Sequence, residues 1–255
     1  MAVTGATDFA KLIDDRPMSA LQWRVIVIAM TIVVLDGFDL QAIGVAAPAL
    51  AREWGLTPKD LGPAFASAPF GMMLGAFVFG PLADRFGRRN LAVVATLLMG
   101  AGALGCALAG NLPQLIGARL LTGVGLGGVL PMLIALVTEY SPKRLRGTMM
   151  MLSFGVLPFG SMLAGMVGAP LVGQFGWHSL FIVGGLGPIV MALVALVALP
   201  ESARYLVARG DRADEVRALV RRLWPREQVP PDAQYVVPEI AVQRASPREL
   251  FGPGR

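Results

Sequence analysis

Two acidic residues, Asp36 and Asp39, lie inside the first long apolar stretch of the sequence. Residues three apart on a helix share one face, so both carboxyl groups point in the same direction. A carboxylate inside a bilayer is costly unless it is paired, hydrated or protonated, and such residues commonly mark proton or substrate pathways. The apolar run 25–35 is too short to span a bilayer alone, which argues against a loop at this point. We interpret the pair as a candidate group for proton coupling or substrate transport.

Arg119 is the one basic residue, among 22 Lys and Arg, that falls inside an expected membrane span. It enters its span from the outer side at a depth of roughly 10 Å, and Asp36 lies roughly 18 Å from the inner edge. In a hydrocarbon core of about 30 Å these depths nearly coincide. We expect Arg119 to face Asp36 or Asp39 across a wet cavity, where proton binding would change the pairing. The alternative is a permanent buried ion pair that only fixes helix register.

Two clusters of charge lie at connections that carry many arginines. The first cluster lies in a tight turn and has one acid among three arginines. The second cluster follows the fourth expected span. Such arginines anchor a membrane protein on its cytoplasmic side. The acids suggest that the clusters could also make and break contacts during gating, although either cluster could be static. The first cluster contains Gly80, Asp84, Arg85, Gly87, Arg88 and Arg89, and the second contains Glu139, Pro142, Arg146 and Gly147.

Glycines follow Arg119 along the same span at Gly123, Gly125, Gly127 and Gly128. Small residues let membrane helices approach each other closely, so we interpret these glycines as helix-packing positions. We expect the same of three glycines in the second span, which are Gly71, Gly75 and Gly80.

No metal or cofactor site is expected, and two residues that could suggest one have simpler interpretations. His178 has no partner at metal-ligand spacing, and we interpret it as an interfacial polar residue. The single Cys106 lies in an apolar stretch and is most simply a small packing residue.

The composition places these residues in an integral membrane protein. Of 255 residues, 55% are hydrophobic and 15% charged, with a mean hydropathy of +0.63. Six stretches are long and apolar enough to span a bilayer, so we expect an all-α integral membrane protein with six transmembrane helices. They cover residues 25–50, 61–83, 91–109, 112–137, 147–172 and 179–199.

The positions of Lys and Arg predict the orientation. One set of connections carries the basic N-terminal residues, the two charge clusters and ten arginines after Pro200, whereas the other set carries only Arg52 and Lys59. Both termini are therefore expected in the cytoplasm, with the protein in the inner (plasma) membrane. The net charge of +5 follows from this topology, since no basic stripe interleaved with aromatic residues indicates nucleic-acid binding.

Three regions follow along the chain: a cytoplasmic tail over 1–24, the six-helix bundle over 25–200, and a cytoplasmic region over 201–255. In the last region, Gly210 and Asp211 resemble a helix stop and a new N-cap, and an amphipathic helix follows. Its position, on the anionic inner leaflet or against the bundle, stays open. A Pro-rich linker over 225–238 follows, and the sequence stops before a seventh span.

At these motifs the sequence resembles the major facilitator superfamily. The segment 80–89 resembles its signature loop between helices two and three. Arg119 through Gly127 resembles its Arg-x-x-x-Gly-x-Gly-x-Gly pattern. Glu139 through Gly147 resembles its Glu-x-x-Pro-x-x-x-Arg-Gly pattern. The segment 200–206 resembles its Pro-Glu-Ser-Pro-Arg motif, with Ala203 in place of the second proline. The segment 36–39 looks like the Asp-Gly-x-Asp element of the aromatic acid:proton symporters.

The resemblance implies the N-terminal six-helix half of a proton-coupled importer of aromatic carboxylic acids such as 4-hydroxybenzoate. Asp36 and Asp39 would serve proton coupling or substrate transport, and Arg119 would hold the substrate carboxylate or a carboxylate partner. Asp84, Arg88 and Glu139 would serve an inner gate. Transporters of this superfamily have two six-helix halves with the substrate site between them. A separate second half or a homodimer is therefore expected as a partner.

Several other functions remain as alternatives. A sugar or other organic-solute porter shares every motif except the Asp36/Asp39 pair, and a non-transporting interaction subunit or truncated fragment would also fit a six-helix chain. An intramembrane aspartyl protease needs carboxylates on two opposed helices, whereas both of these lie on one helix. An ATP-driven pump is disfavoured because no Gly-x-x-x-x-Gly-Lys-Ser/Thr loop is present. The sequence therefore favours a transporter over an enzyme.

Overall fold

The structure, a computed structural model, describes residues 7–208, 213–225 and 235–236. The expected stop and N-cap at Gly210 and Asp211 lie outside the described residues, as do the side chain of Asp84 and nearly all of the linker over 225–238. The described helices are α1 (Phe9–Asp14), α2 (Ala20–Trp54), α3 (Gly62–Phe86), α4 (Arg88–Ala107), α5 (Leu112–Tyr140), α6 (Arg146–Gly155), α7 (Leu157–Phe175), α8 (His178–Ala198), α9 (Ala203–Ala208) and α10 (Ala213–Leu223).

Six spans are long and apolar enough to cross a membrane, which confirms the expected all-α membrane fold. They are α2, α3, α4, α5, the pair α6 and α7, and α8. Two short strands, β1 (Thr7–Asp8) and β2 (Tyr235–Val236), pair in parallel and were not expected from the sequence.

The first span is longer than expected at both ends. Helix α2 begins after Ser19, which forms a capping box with Gln22: the Gln22 side chain accepts from the Ser19 amide at 2.7 Å. It ends at Gly55, whose φ of 64° is left-handed and suits a residue without a side chain. Arg24 and Arg52 therefore lie within the helix rather than in its flanking connections.

The fifth span is two helices rather than one, because α6 ends at Gly155 and α7 begins at Leu157. Pro158, in the first turn of α7, has no amide hydrogen to donate back to the preceding turn. The amides of Phe159 and Gly160 both donate to the Val156 carbonyl, at 3.0 and 3.3 Å. The proline thus starts a new helix inside the span that the sequence predicted as one helix over 147–172.

Each span packs against particular neighbours. Helices α3 and α4 pack against α5, α4 also packs against α8, and α2 packs against α7 and α8. Glycines permit the contact between α3 and α5. A side chain at Gly123 on α5 would overlap the Ala68 carbonyl of α3, and one at Gly127 would overlap the Met72 carbonyl. The helix backbones therefore touch along this face, as small residues allow in membranes.

The expectation for Gly80 is wrong as regards packing, although the other two glycines of the second span match it. Side chains at Gly71 and Gly75 would overlap backbone atoms of α5. A side chain at Gly80 would meet no atom within 4 Å among the described residues. Gly80 lies six residues before α3 ends at Phe86, on a face of the helix that meets no neighbour among the described residues.

The amphipathic helix α10 packs against the bundle, which decides between the two positions left open by the sequence. Its apolar residues are buried, and it contacts α2 and α9. Arg221 and Arg222 lie in its last turn, where cations interact favourably with the helix dipole. The buried residues are Val216, Leu219, Val220 and Leu223.

We call the end of the bundle that carries Arg88, Arg144, Arg146 and helices α9 and α10 the arginine-rich end, and the other the opposite end. At the arginine-rich end, the Lys143 amide donates to the Asp14 carboxylate at 2.6 Å, and the Gln22 side chain donates to the Tyr140 carbonyl at 2.8 Å. These bonds join the end of α1 and the start of α2 to the end of α5 and the residues that follow it.

Candidate functional site

The centre of the bundle holds an ion pair between α5 and α2. Arg119 Nη1 donates to Asp39 Oδ2 at 2.8 Å, and the side chains are 2% and 1% exposed. The sequence predicted that Arg119 faces one of two acids, and the structure identifies it as Asp39. The expected wet cavity at this pair is not seen among the described residues, because both side chains are almost fully buried.

The pair leaves polar atoms unused. Arg119 Nε and Asp39 Oδ1 are buried and have no hydrogen-bond partner among the described residues. A buried polar atom without a partner is costly, so a ligand that brought complementary groups to these two atoms would be stabilised by them. A carboxylate could accept from Arg119, and a protonated Asp39 could donate.

Asp36 lies one turn from Asp39 on the same face of α2 and lacks the ion pair that Asp39 makes. It is 0% exposed, and neither of its carboxyl oxygens has a hydrogen-bond partner in the described part of the chain. No ion pair to Asp36 is seen there either. A buried carboxylate in this state is costly, whereas a carboxylic acid is much less so. The two acids therefore form a paired and an unpaired member of one group.

Close packing of α2 on α7 fixes the position of this acidic face. A side chain at Gly37, next to Asp36, would overlap the Leu157 carbonyl, and one at Gly160 would overlap the Val34 carbonyl. The Ser161 hydroxyl also donates to the Gly37 carbonyl at 2.9 Å. The start of α7 created by Pro158 thus lies directly behind the carboxyl pair.

At the arginine-rich end, the two charge clusters of the sequence meet. Arg88 donates to Glu139 in an ion pair, and Glu139 is 7% exposed. The other Glu139 oxygen accepts from the Ser202 hydroxyl at 2.7 Å. The first cluster, the end of α5 and the segment after α8 are therefore joined through one carboxylate.

Sequence reasoning missed Glu201 and Tyr140 as members of this network. The Glu201 carboxylate accepts from the backbone amides of Arg89 at 3.0 Å and Ser202 at 2.9 Å. The Tyr140 hydroxyl donates to the Glu201 carbonyl at 2.6 Å. Glu201 belonged to a recognised motif, but only the folded chain shows that it holds the first turn of α4, where a carboxylate is favourable.

The remaining residues of the two clusters have separate surroundings. Arg85 is exposed and lies over the Phe86 ring at 5.6 Å, and Arg89 donates to the Leu196 carbonyl. Gly87 has a φ of 90° and lies against the Glu201 carboxylate, where a side chain would not fit. Arg146 does not join the Glu139 ion pair among the described residues. It lines a neighbouring cavity instead.

The opposite end has a contact that no motif indicated. Trp177 is 1% exposed and its indole donates to Glu53 at 2.8 Å, which ties the start of α8 to the end of α2. The His178 ring stacks on Trp177 with centroids 3.7 Å apart. Among the described residues, no three His, Cys, Asp or Glu side chains are grouped as a metal site.

Comparisons with known proteins identify the class. The model of the Major Facilitator Superfamily matches residues 29–241, so the chain belongs to this superfamily. The solved proton:xylose symporter XylE, bound to 6-bromo-6-deoxy-D-glucose, shares the fold with a TM-score of 0.71 at 21% identity, over 80% of this chain and 50% of that one. This likeness confirms the fold of an N-terminal half. Membership of the superfamily, together with the six apolar spans, makes the chain a multi-pass membrane protein.

Curated relatives confirm the resemblance to aromatic-acid transporters. The chain is 38% identical to the 4-hydroxybenzoate transporter PcaK of Acinetobacter baylyi, over 96% of this chain and 53% of the relative. It is 42% identical to the 4-hydroxybenzoate transporter PcaK of Pseudomonas aeruginosa, over 96% and 54%. It is 36% identical to a gallate transporter of Pseudomonas putida, over 98% and 55%. The chain spans about half the length of the curated relatives it matches.

Proposed function

We propose that this six-helix unit is half of a proton-coupled importer of aromatic carboxylic acids of the 4-hydroxybenzoate type. The observation that carries the proposal is the buried Arg119–Asp39 ion pair with the unpartnered Asp36 one turn away. The names of the curated relatives supply the substrate class. A sugar or other organic-solute porter of the same superfamily is the alternative, and the names of these relatives favour aromatic acids over it.

The proposed coupling follows from charge balance. With Asp39 ionised, it neutralises Arg119, and the pair carries no net charge. When a proton binds Asp39, Arg119 loses its partner and can pair with the carboxylate of the substrate. A proton and a monoanion together add no charge to the buried site, so the loaded site is as neutral as the empty one. The two enter together because either alone would leave an unpaired charge.

Asp36 has a separate role in this proposal. It has no cation to displace, so it can exchange a proton without breaking the ion pair first. We place it as the residue through which the proton reaches Asp39, one helical turn away. The Arg88–Glu139–Ser202 network would hold the arginine-rich end closed in one state and open in another, together with Asp84, Arg85, Arg89 and Arg146.

We also propose the topology and the partner. The basic residues at the arginine-rich end favour a cytoplasmic position for it and for both termini, in the inner (plasma) membrane. A second six-helix unit would pack against α3 and the pair α6 and α7, whose large apolar side chains are exposed. These include Phe70 at 54%, Phe77 at 76%, Met151 at 78% and Met166 at 66%. The second unit is a homologous half or a second copy of this chain.

Uptake of labelled 4-hydroxybenzoate into proteoliposomes under an inward proton gradient tests the proposal. We expect uptake by the wild type to depend on the gradient, and uptake by Asp36→Asn not to depend on it. Asp60→Asn removes an exposed acid at the opposite end and should behave as the wild type. A permanent structural ion pair predicts instead that uptake does not depend on the gradient. Folded protein without uptake, in the presence of a second half, would contradict the proposal.

A further inference from the structure

A cavity of about 320 Å³ opens at the arginine-rich end, between α1, α5, α6 and α9. It is separate from the Arg119–Asp39 pair. Glu139, which lines the cavity, is twenty residues beyond Arg119 on α5, a distance of about 30 Å along a helix. The two sites therefore lie far apart on the same helix.

The charged wall of this cavity has more cations than anions. Three guanidinium groups line it, from Arg88, Arg146 and Arg204, against the single carboxylate of Glu139. That carboxylate is already used, because it accepts from Arg88 and from the Ser202 hydroxyl. Arg146 Nε is buried and has no hydrogen-bond partner among the described residues. The wall thus favours an anion that can accept from Arg146, with Arg204 beside it.

The facing wall is apolar. Phe9 and Ile13 of α1 are 3% and 2% exposed, and Ile134 and Ala135 of α5 complete this side. Ile134 is 37% exposed, so a small inorganic anion would leave it uncovered, whereas an organic anion would pack against it. A protein cavity of about 150 Å³ is enough to bind benzene. The volume here therefore accommodates one substituted aromatic ring with its carboxylate.

We propose that this cavity is a second binding site for an aromatic carboxylate, on the side of the protein to which substrate is delivered. The carboxylate lies against Arg146 and Arg204, and the ring lies between Phe9 and Ile134. The inference rests on the proposed substrate class. The bound ligand contacts α1, α5 and the Glu139 network at once. Binding here therefore links the presence of the delivered acid to the contacts of the arginine-rich end.

Equilibrium dialysis of the purified 255-residue chain with labelled 4-hydroxybenzoate tests the inference through binding stoichiometry. We expect two molecules per chain in the wild type, and one each in Arg119→Gln and in Arg146→Gln. Ala135→Phe fills the cavity without changing its charge and should also bind one molecule, so a folding defect caused by the arginine change can be recognised. Arg52→Gln, which removes an exposed arginine at the opposite end, is the matched control and should bind two.

The outcomes separate this inference from the proposed function. The wild type could bind one molecule per chain that is lost in Arg119→Gln and kept in Arg146→Gln and Ala135→Phe. That result overturns the second site and leaves the proposed function intact. No binding by the folded wild type overturns the second site, and uptake in the presence of a second half then decides the proposed function, because the transport site lies between two halves. Displacement of the second molecule by benzoate and not by inorganic phosphate supports an aromatic carboxylate site. Equal displacement by phosphate overturns that assignment.

Discussion

The Arg119 guanidinium lies 2.8 Å from a carboxylate oxygen of Asp39, in a site where both side chains are almost fully buried. Asp36, on the same face of the same helix, has no such partner among the described residues. Two acids three residues apart therefore have different electrostatic surroundings. Substitutions of the two should have different consequences for stability and for coupling.

Removing either partner of the ion pair should destabilise the protein. Breaking a buried pair by removing one partner costs about 3–5 kcal/mol, because the other charge is left buried and uncompensated. We expect this loss in Arg119→Gln and Asp39→Asn. The double variant should be more stable than either single variant, since it leaves no unpaired charge. Denaturant unfolding in mild detergent measures all three.

Asp36→Asn is the matched control for this cycle, because it changes an acid of the same helix face that has no cation beside it. Its stability should stay within about 1 kcal/mol of the wild type, or rise, as expected when an unpaired buried acid becomes neutral. A loss as large as that of Asp39→Asn would contradict the assignment of Asp39 as the partner of Arg119.

The close approach of α3 and α5 gives a second prediction, with both test and control on α5. Gly123→Ala would place a methyl group against the Ala68 carbonyl and should destabilise the protein by about 1–3 kcal/mol, as overpacking does. Gly117→Ala meets no atom within 4 Å and should stabilise it by about 0.5–1 kcal/mol, since alanine favours helix. Thermal unfolding of both variants measures the difference. Equal effects would show that the backbones do not touch at Gly123.

Asp60, in the connection between α2 and α3, gives a prediction on pH. The Thr57 hydroxyl and amide donate to its carboxylate at 2.6 and 2.7 Å, and these bonds lower the pKa of Asp60 below the ordinary value of 3.8. A lowered pKa in the folded state means that the contribution to stability is present above the unfolded pKa and is lost as the pH falls through the folded one. Thr57→Ala should therefore raise the pKa of Asp60, and Thr57→Ser should not. A carboxyl NMR titration distinguishes the two, and an unchanged pKa in Thr57→Ala would contradict the contact.

The proposed topology predicts which side of the membrane single cysteines face. The native Cys106 is fully buried, so it should give little background labelling. Lys59→Cys, at the opposite end, should react with a membrane-impermeant maleimide added outside intact cells. Lys143→Cys, at the arginine-rich end, should react only after the cells are opened. The reverse pattern would invert the orientation, because the two positions lie at different ends of the bundle.

The sequence predicted the spans and the meeting of Arg119 with an acid because both follow from simple geometry. Span length is set by the thickness of the bilayer, and the depth of a residue follows from its distance to the end of the span. The choice between Asp36 and Asp39 could not be made in this way. The two acids share a face and differ in height along α2 by only about 4.5 Å, which is less than the uncertainty of a depth counted from the end of a span.

The contacts at the arginine-rich end were harder to foresee. The sequence treated Arg88 and Glu139 as members of separate clusters, 51 residues apart, and the structure joins them in one ion pair. The roles of Glu201 and Tyr140 depend on where the segment after α8 crosses the end of α5. No local pattern encodes that crossing. Motif resemblance identified the right segments, whereas their hydrogen bonds required the fold.

The number of protons taken up when the purified chain binds 4-hydroxybenzoate tests the central claim most directly. Calorimetry in buffers of different ionisation enthalpy measures this number. The charge-balanced site predicts uptake of about one proton per acid anion in the wild type, and none in Asp39→Asn, where Arg119 has no ionised partner to release. Binding by the wild type without proton uptake would contradict the account, because the Arg119–Asp39 pair would then be a permanent part of the structure.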